Sequence, residues 1–315
     1  VSLIFFLLIL ILNYFYGHQK IKNDKRLYTE FSGLKIKVIS PKISIERFFQ
    51  PNNERIIIEE LIELSNPNIL HNTIFVFPEG ALAGVSFDQL KSFKEMFSKK
   101  FSEKHIIVMG INTEKIIDNS SKTYNSMVVL DNKLNLISEY NKIKLVPFGE
   151  FLPFEKFFKK IGLKKISYGY ESFSEGNDRN LIFISDKNFN FIPLICYEII
   201  YSGKVNLNFD ETNFIINISE DGWFGNSIGP YQHFSHSIFR AIEEGKNIIR
   251  ASNNGISAYI DSNGLVIDKL ESTHKGVIEI NNYKNSKRTF FSKFGNKIFF
   301  YFIIFYISLL FFNYN

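Results

Sequence analysis

The sequence has one cysteine, eight prolines and one tryptophan among its 315 residues. A single cysteine cannot form a disulfide within the chain, so packing and hydrogen bonds must hold the fold together in any compartment. The net charge is only +5 and the lysines are scattered rather than gathered on one surface, which argues against nucleic acid as a partner. Hydrophobic residues make up 45% of the chain and charged residues 22%. That balance is typical of a folded protein with a large core and excludes a disordered chain.

Long apolar runs occur at both ends of the chain, at residues 1–17 (VSLIFFLLILILNYFYG) and within residues 296–313. Each has tyrosines near its ends and comes close to the ~20 residues that span a bilayer. The first run has no basic segment before it and no small-residue cleavage site after it, so a signal peptide is disfavoured. We therefore predict two transmembrane helices, and we interpret residues 1–17 as the last helix of a truncated membrane domain.

The residues between the two runs show the pattern of one α/β domain, which we place at 35–285. The segments NNERIIIEELIELS and SFDQLKSFKEMFSKKF have apolar residues at helical spacing, and each is followed by an apolar run typical of a buried strand, TIFVFPEG and HIIVMGINTE. Further along, strand pairs flank Asp131 and Asp186, and HFSHSIFRAIEEGK has helical spacing. This interleaving predicts a layered α/β fold.

Three reactive or charged side chains follow predicted strands: Glu79, Lys142 and Cys196. Open α/β sheets expose functional groups at strand ends. A free thiol with a pKa of ~8.5 needs a base or a nearby cation to act as a nucleophile at neutral pH. An acid, an amine and a thiol together are the components of a nucleophilic acyl-transfer site. From spacing alone, however, a buried structural cysteine, a solvated loop acid and a surface lysine are the favoured interpretations.

The motifs FPEGA, YNKIKLVPFGEFLP and LICYE, in that order, resemble the apolipoprotein N-acyltransferase family of the nitrilase superfamily. The resemblance extends over roughly residues 35 to 310, including ISEDGWFGNSIGPYQHFSHSIFRAIEEGKNIIRASNNGISAYID. It implies an αββα sandwich flanked by transmembrane segments. It also implies that Glu79 is the general base, that Lys142 stabilises the oxyanion and that Cys196 is the nucleophile.

The same resemblance implies supporting roles for Glu150, Tyr197 and Glu198, and leaves Lys144 outside the catalytic set. Trp223, in the glycine-rich segment EDGWFGNSIGP, either lines the substrate entrance or packs. Phe49 lies where the family tends to have tryptophan, which could alter contacts with lipid.

The activity implied by this resemblance is transfer of a fatty acyl group from a phospholipid, through a Cys196 thioester, to the N-terminal amine of a diacylglyceryl-cysteine lipoprotein. No cofactor is expected. The family places the domain on the periplasmic side of the bacterial inner membrane, whereas the basic flanks of the apolar runs favour the cytoplasm. Two alternatives remain: a membrane-anchored amidase that hydrolyses C–N bonds, and an inactive membrane-tethered binding protein.

Two further segments lead to weaker hypotheses. Residues 154–173 mix aromatic residues with lysines and are a candidate lid on the membrane surface, or simply a basic surface helix. The pair His233 and His236, with His71 and His105 elsewhere, could suggest a metal site, but no second cluster of ligands accompanies the pair, so we predict no metal.

Overall fold

The computed structural model describes residues 2–24, 27–49, 54–154, 172–205 and 211–313. The helices are α1 (Ser2–Lys22), α2 (Glu54–Ser65), α3 (Phe87–Leu90), α4 (Lys94–Lys100), α5 (Gly229–Glu244), α6 (Phe290–Phe294) and α7 (Lys297–Asn313). The strands are β1 (Tyr28–Glu30), β2 (Leu34–Ser40), β3 (Asn72–Val76), β4 (His105–Ile117), β5 (Ser120–Leu130), β6 (Leu136–Asn141), β7 (Ile182–Ile184), β8 (Phe189–Ile195), β9 (Phe214–Glu220), β10 (Asn247–Asn253), β11 (Ser257–Ile260), β12 (Val266–Leu270), β13 (Gly276–Ile280) and β14 (Asn282–Lys284).

Two six-stranded sheets form the centre of the domain, in the orders β13-β2-β3-β4-β5-β6 and β12-β11-β10-β9-β8-β7. The middle strands of each sheet run parallel, β2 with β3 and β4 in the first and β8 with β9 and β10 in the second. Antiparallel strands complete both edges. The carboxyl ends of the parallel strands carry Glu79, three residues after β3, and Cys196, directly after β8.

The two sheets pack face to face between outer layers of helices. One apolar cluster lies between the sheets, with Ile36, Val76, Ile216 and Ala251 among its members. A second cluster lies between the first sheet and α2 to α4, and a third lies between the second sheet and α5. Because both faces of each sheet are covered, the central strand β9 is buried along its whole length. The predicted αββα sandwich is confirmed.

Apolar helices lie at the two ends of the described chain. Among the described residues, Leu3–Lys22 of α1 is long and apolar enough to cross a membrane, whereas the apolar stretch Lys297–Phe311 of α7 is shorter. Most large side chains of both helices are exposed. Helix α1 continues past the predicted end at residue 17, and an ion pair of 2.8 Å between Asp24 and Lys284 joins the residues after it to the domain. The division of the chain into two membrane segments, 1–17 and 296–313, and a domain at 35–285 stays a prediction.

Candidate active site

The nucleophile candidate Cys196 lies at a sharp turn where β8 ends and a short 3-10 helix, Cys196–Ile200, begins. Its backbone has φ = +50°, a left-handed conformation that is uncommon for a residue other than glycine. The side chain is half-buried. A strained residue of this kind persists only where surrounding contacts hold it, and such residues cluster at functional sites.

Glu79 follows β3 in the segment Phe77–Gly80, and its carboxylate has three protein donors. Its Oε1 accepts from the Asn125 amide at 2.7 Å and from the Lys142 ammonium at 3.4 Å, and its Oε2 accepts from the Glu220 N–H at 3.0 Å. The main chain of Glu79 lies close against Gly110 of β4, where a Cβ would stand 2.7 Å from the Cα of Glu79. Glycine is therefore required at position 110 for this approach.

Lys142 lies directly after β6 and is almost fully buried between two carboxylates. Its Nζ donates to Glu150 at 2.9 Å and to Glu79 at 3.4 Å, and the amide of Asn125 donates to the same oxygens of both acids. Burial alone would lower the pKa of Lys142, but Glu150, Glu79 and Cys196 raise it well above its usual value. Lys142 is therefore a fixed ammonium ion.

Glu79 and Lys142 contact each other, and the thiol of Cys196 lies close enough to interact electrostatically with both. Burial raises the pKa of the thiol well above its usual range, and Glu79 adds to the rise, while Lys142 and a hydrogen bond with Ser219 oppose it. The resting side chain is consequently a neutral thiol. It needs a base at the moment of attack, and Glu79 is a carboxylate within electrostatic range of the thiol.

Glu150 is held in the irregular loop after Lys142. Its Oε2 accepts from the Val146 N–H at 2.8 Å, and its own N–H donates to the Val146 carbonyl at 2.8 Å. Its Oε1 accepts hydrogen bonds from Lys142 and Asn125. Glu150 therefore gives the ammonium of Lys142 a second carboxylate partner in addition to Glu79.

Glu198 is buried and joins the segment before Cys196 to the segment after Lys142. Its Oε2 accepts from the Ile195 N–H at 2.9 Å. Its Oε1 accepts from four donors, which are Tyr140 Oη at 2.7 Å, Ile143 N at 3.0 Å, Arg179 at 3.1 Å and Lys144 N at 3.2 Å. One carboxylate thus links the residue before Cys196 to the two residues after Lys142.

The remaining predicted residues, Tyr197 and Trp223, have aromatic partners. The half-buried Tyr197 contacts Tyr201 edge to face, with ring centroids 6.1 Å apart. Trp223 is 43% exposed and packs on Phe48 and Phe49, at centroid distances of 4.9 and 6.1 Å. Trp223 thus packs and also presents a surface to solvent.

Lys144 and the predicted lid complete the sequence-based set. The ammonium of Lys144 is exposed and pairs with Glu175 at 3.4 Å, away from the carboxylates that hold Lys142. Within the candidate lid 154–173, residues 155–171 lie outside the described residues.

The sequence analysis missed several polar residues that the fold places around Cys196. Asn125 bridges Glu79 and Glu150, and Ser219 and Asp221 stand at the end of β9 beside the thiol. Asp221 could have been found from the sequence, because it is an acid directly after a strand, and position after a strand is what marked Glu79, Lys142 and Cys196. Nothing in the hairpin sequence distinguishes Asn125 from an ordinary strand residue.

His233 was considered only as a metal ligand, and the structure gives it other partners. Its Nδ1 lies 2.8 Å from Asp221 and its Nε2 lies 3.2 Å from the carbonyl oxygen of Cys196. Within the described ranges, no group of three or more His, Cys, Asp and Glu side chains could hold a metal ion.

The family model described as carbon-nitrogen hydrolase matches residues 73–281, which include all three of Glu79, Lys142 and Cys196. Curated relatives named apolipoprotein N-acyltransferase include one from Rickettsia typhi, 33% identical over 92% of this chain and 57% of the relative. One from Brucella melitensis is 29% identical over 84% of this chain and 50% of the relative. The chain thus spans about half the length of these relatives.

Solved structures with the same fold include an amidase from Nesterenkonia sp. AN1, with a TM-score of 0.54 and 12% identity over 78% of this chain and 92% of the amidase. Nit3 from Saccharomyces cerevisiae, of the nitrilase superfamily, has a TM-score of 0.55 and 15% identity over 80% of this chain and 90% of its own. At these identities the likeness concerns the fold alone.

Proposed function

Because the chain belongs to the carbon-nitrogen hydrolase family, we propose that it is the catalytic part of an apolipoprotein N-acyltransferase, with Cys196 as nucleophile. The observation that carries this proposal is the contact between a carboxylate and a buried ammonium that both interact electrostatically with the Cys196 thiol, although the three groups come from separate segments. The names of the relatives support N-acyl transfer to an apolipoprotein as the reaction.

In the first half-reaction, Cys196 attacks the ester carbonyl of a phospholipid. The thiol proton passes to Glu79 as the S–C bond forms, and the negative charge that develops on the carbonyl oxygen is stabilised by Lys142. A fixed ammonium in such a site lowers the barrier by about 3 to 4 kcal/mol, judged from the loss of comparable donors. When the C–O bond breaks, Glu79 returns the proton to the departing lysophospholipid alcohol, which leaves a thioester on Cys196.

In the second half-reaction, the α-amine of a diacylglyceryl-cysteine at a lipoprotein N-terminus attacks the thioester. Glu79 accepts a proton from the amine as the N–C bond forms and gives it to the departing sulfur as the S–C bond breaks. The products are an N-acylated lipoprotein and the original thiol. Glu150 and Asn125 keep Lys142 and Glu79 in the same arrangement through both steps.

The apolar helix α1 supports a membrane location, because an acyl donor in a bilayer requires the nucleophile to stay near the headgroups. By analogy with the family, we place the domain on the periplasmic face of the inner membrane. Helix α7, with its exposed phenylalanines and tyrosines, would be a second attachment to the same bilayer.

The full-length protein in phospholipid liposomes tests this function directly. A diacylglyceryl-cysteine peptide is added, and the products are separated by mass spectrometry. We expect N-acylated peptide and lysophospholipid in equal amounts, no product from Cys196→Ala, and undiminished product from Lys144→Gln as the matched lysine control. Free fatty acid with unmodified peptide would instead identify a hydrolase, and product from Cys196→Ala would remove the thioester route.

A further inference from the structure

The carbonyl oxygen of Cys196 accepts a hydrogen bond from the side chain of a distant residue, His233 of α5, at 3.2 Å from its Nε2. This oxygen lies in the same residue whose φ of +50° departs from the usual backbone regions. The His233 side chain can hold the Cys196 peptide in this conformation only if the side chain is itself held in place.

His233 is buried and held from its other side by Asp221, whose Oδ1 lies 2.8 Å from Nδ1. Asp221 is fixed in turn by Arg250 at 2.7 Å and by the Ser219 hydroxyl at 2.6 Å. Burial would raise the pKa of Asp221, but Arg250, His233 and Ser219 lower it below its usual range, so the acid is a carboxylate.

The direction of the hydrogen bonds follows from the chemistry of the partners. A carbonyl oxygen only accepts, so Nε2 must carry a proton for this bond to exist. Nδ1 faces the carboxylate of Asp221 and, at 3.2 Å, the guanidinium of Arg250. The ring orientation is therefore set by Asp221 and Arg250, and the Nε2–H points at the main chain of Cys196.

We propose that His233 is a positioning residue, which keeps Cys196 in its left-handed conformation by donating from Nε2–H to the Cys196 carbonyl. The proposal deepens the proposed function, on which it rests for the role of Cys196 as nucleophile. Without this bond the peptide relaxes toward common backbone angles, and the sulfur moves away from Glu79 and Lys142.

Two isosteric substitutions separate this role from simple packing. In His233→Gln the amide nitrogen can take the place of Nε2 and donate to the Cys196 carbonyl, whereas in His233→Asn it takes the place of Nδ1 and reaches only Asp221. His236→Gln, three positions further along α5 and half-buried, is the matched control. The readout is the rate at which iodoacetamide alkylates Cys196, followed by intact mass, and the single cysteine of the chain makes the signal unambiguous.

We expect His233→Gln to be alkylated within about 5-fold of the unmodified protein and His233→Asn about 100-fold more slowly, as for a reacting atom displaced by ~1 Å. Both variants should keep similar melting temperatures. Equal rates for His233→Asn and the unmodified protein, or equal losses in both variants, would overturn the proposal. If the variants do not fold, ring ¹⁵N shifts of the unmodified protein decide, because an unprotonated Nε2 at His233 contradicts the bond.

This test does not depend on the lipid substrates, because alkylation requires only the thiol and its geometry. If the protein fails to transfer acyl groups but His233→Gln and His233→Asn differ in the alkylation rate of Cys196, the proposed function alone is refuted. Acyl transfer with equal alkylation in both variants would refute the positioning role alone.

Discussion

Replacing Glu198 with glutamine tests whether one buried carboxylate holds the site together. The side chain of Glu198 is fully buried, and Arg179, its ionic partner, is 5% exposed. The amide of glutamine has one oxygen that accepts and one nitrogen that donates. Because four donors converge on Oε1 and one on Oε2, the favoured orientation leaves the amide nitrogen facing the N–H of Ile195.

The loss can be estimated from these contacts. Removing one partner of a buried ion pair costs about 3 to 5 kcal/mol, since the other charge stays buried. Two donors placed against each other at Ile195 add about 1 to 3 kcal/mol. Part of the charge loss is offset because the glutamine oxygen still accepts from Arg179, so we expect a net loss of about 4 kcal/mol. In a protein of this size that corresponds to a melting temperature about 10 °C lower.

The assay is thermal unfolding of the purified protein in one detergent, with Glu175→Gln as the matched control. Glu175 also pairs with a cation near the site, but both side chains are largely exposed, and such pairs contribute about 0 to 1 kcal/mol. Adding Arg179→Met to Glu198→Gln should recover part of the stability, because no buried charge then lacks its partner. A melting temperature for Glu198→Gln equal to that of Glu175→Gln would refute the reasoning.

The remaining predictions concern charge and protonation. Lys142→Met should lower acyl transfer about 10²- to 10³-fold, because the cation at the developing oxyanion is lost, while Lys144→Gln leaves turnover unchanged in the same assay. The alkylation rate of Cys196 should keep rising with pH well beyond the ~8.5 of a free thiol, because burial raises its pKa, and a plateau near pH 9 would contradict this. Burial and Glu243 raise the pKa of Glu244 from 4.5 to about 7, so the folded state binds the proton more tightly. This stabilisation is present below pH ~4.5 and is lost as the pH rises through ~7, which corresponds to about 3 kcal/mol, so Glu244→Gln should raise the melting temperature more at pH 8 than at pH 5.

Local sequence patterns predicted the layers and marked Glu79, Lys142 and Cys196 as candidates near strand ends, whereas the catalytic roles of these three came from the family resemblance. Apolar runs of four to eight residues marked the strands that carry Glu79 and Cys196. The first predicted turn of SFDQLKSFKEMFSKKF is helical, and the Ser86 hydroxyl caps it by accepting from the Gln89 N–H. That helix is interrupted by a 3-10 segment, Lys91–Phe93, which the spacing of its apolar residues did not indicate.

The contacts that orient the site could not be predicted, because they join residues far apart in the chain. Asn125 bridges two acids whose positions depend on β3 and on an irregular loop. His233 reaches the carbonyl of Cys196 only because α5 packs against the 3-10 helix Cys196–Ile200. The left-handed backbone of Cys196 is likewise imposed by tertiary contacts, since cysteine has no preference for it.

The most direct test of the account is the intact mass of the full-length protein after incubation with a phospholipid of one defined acyl chain and no acceptor peptide. The account predicts a mass increase of one acyl group, located on Cys196 by fragmentation, removed by hydroxylamine and absent in Glu79→Gln. An acyl group on any other residue, or rapid lipid turnover without acylation of Cys196, would contradict it.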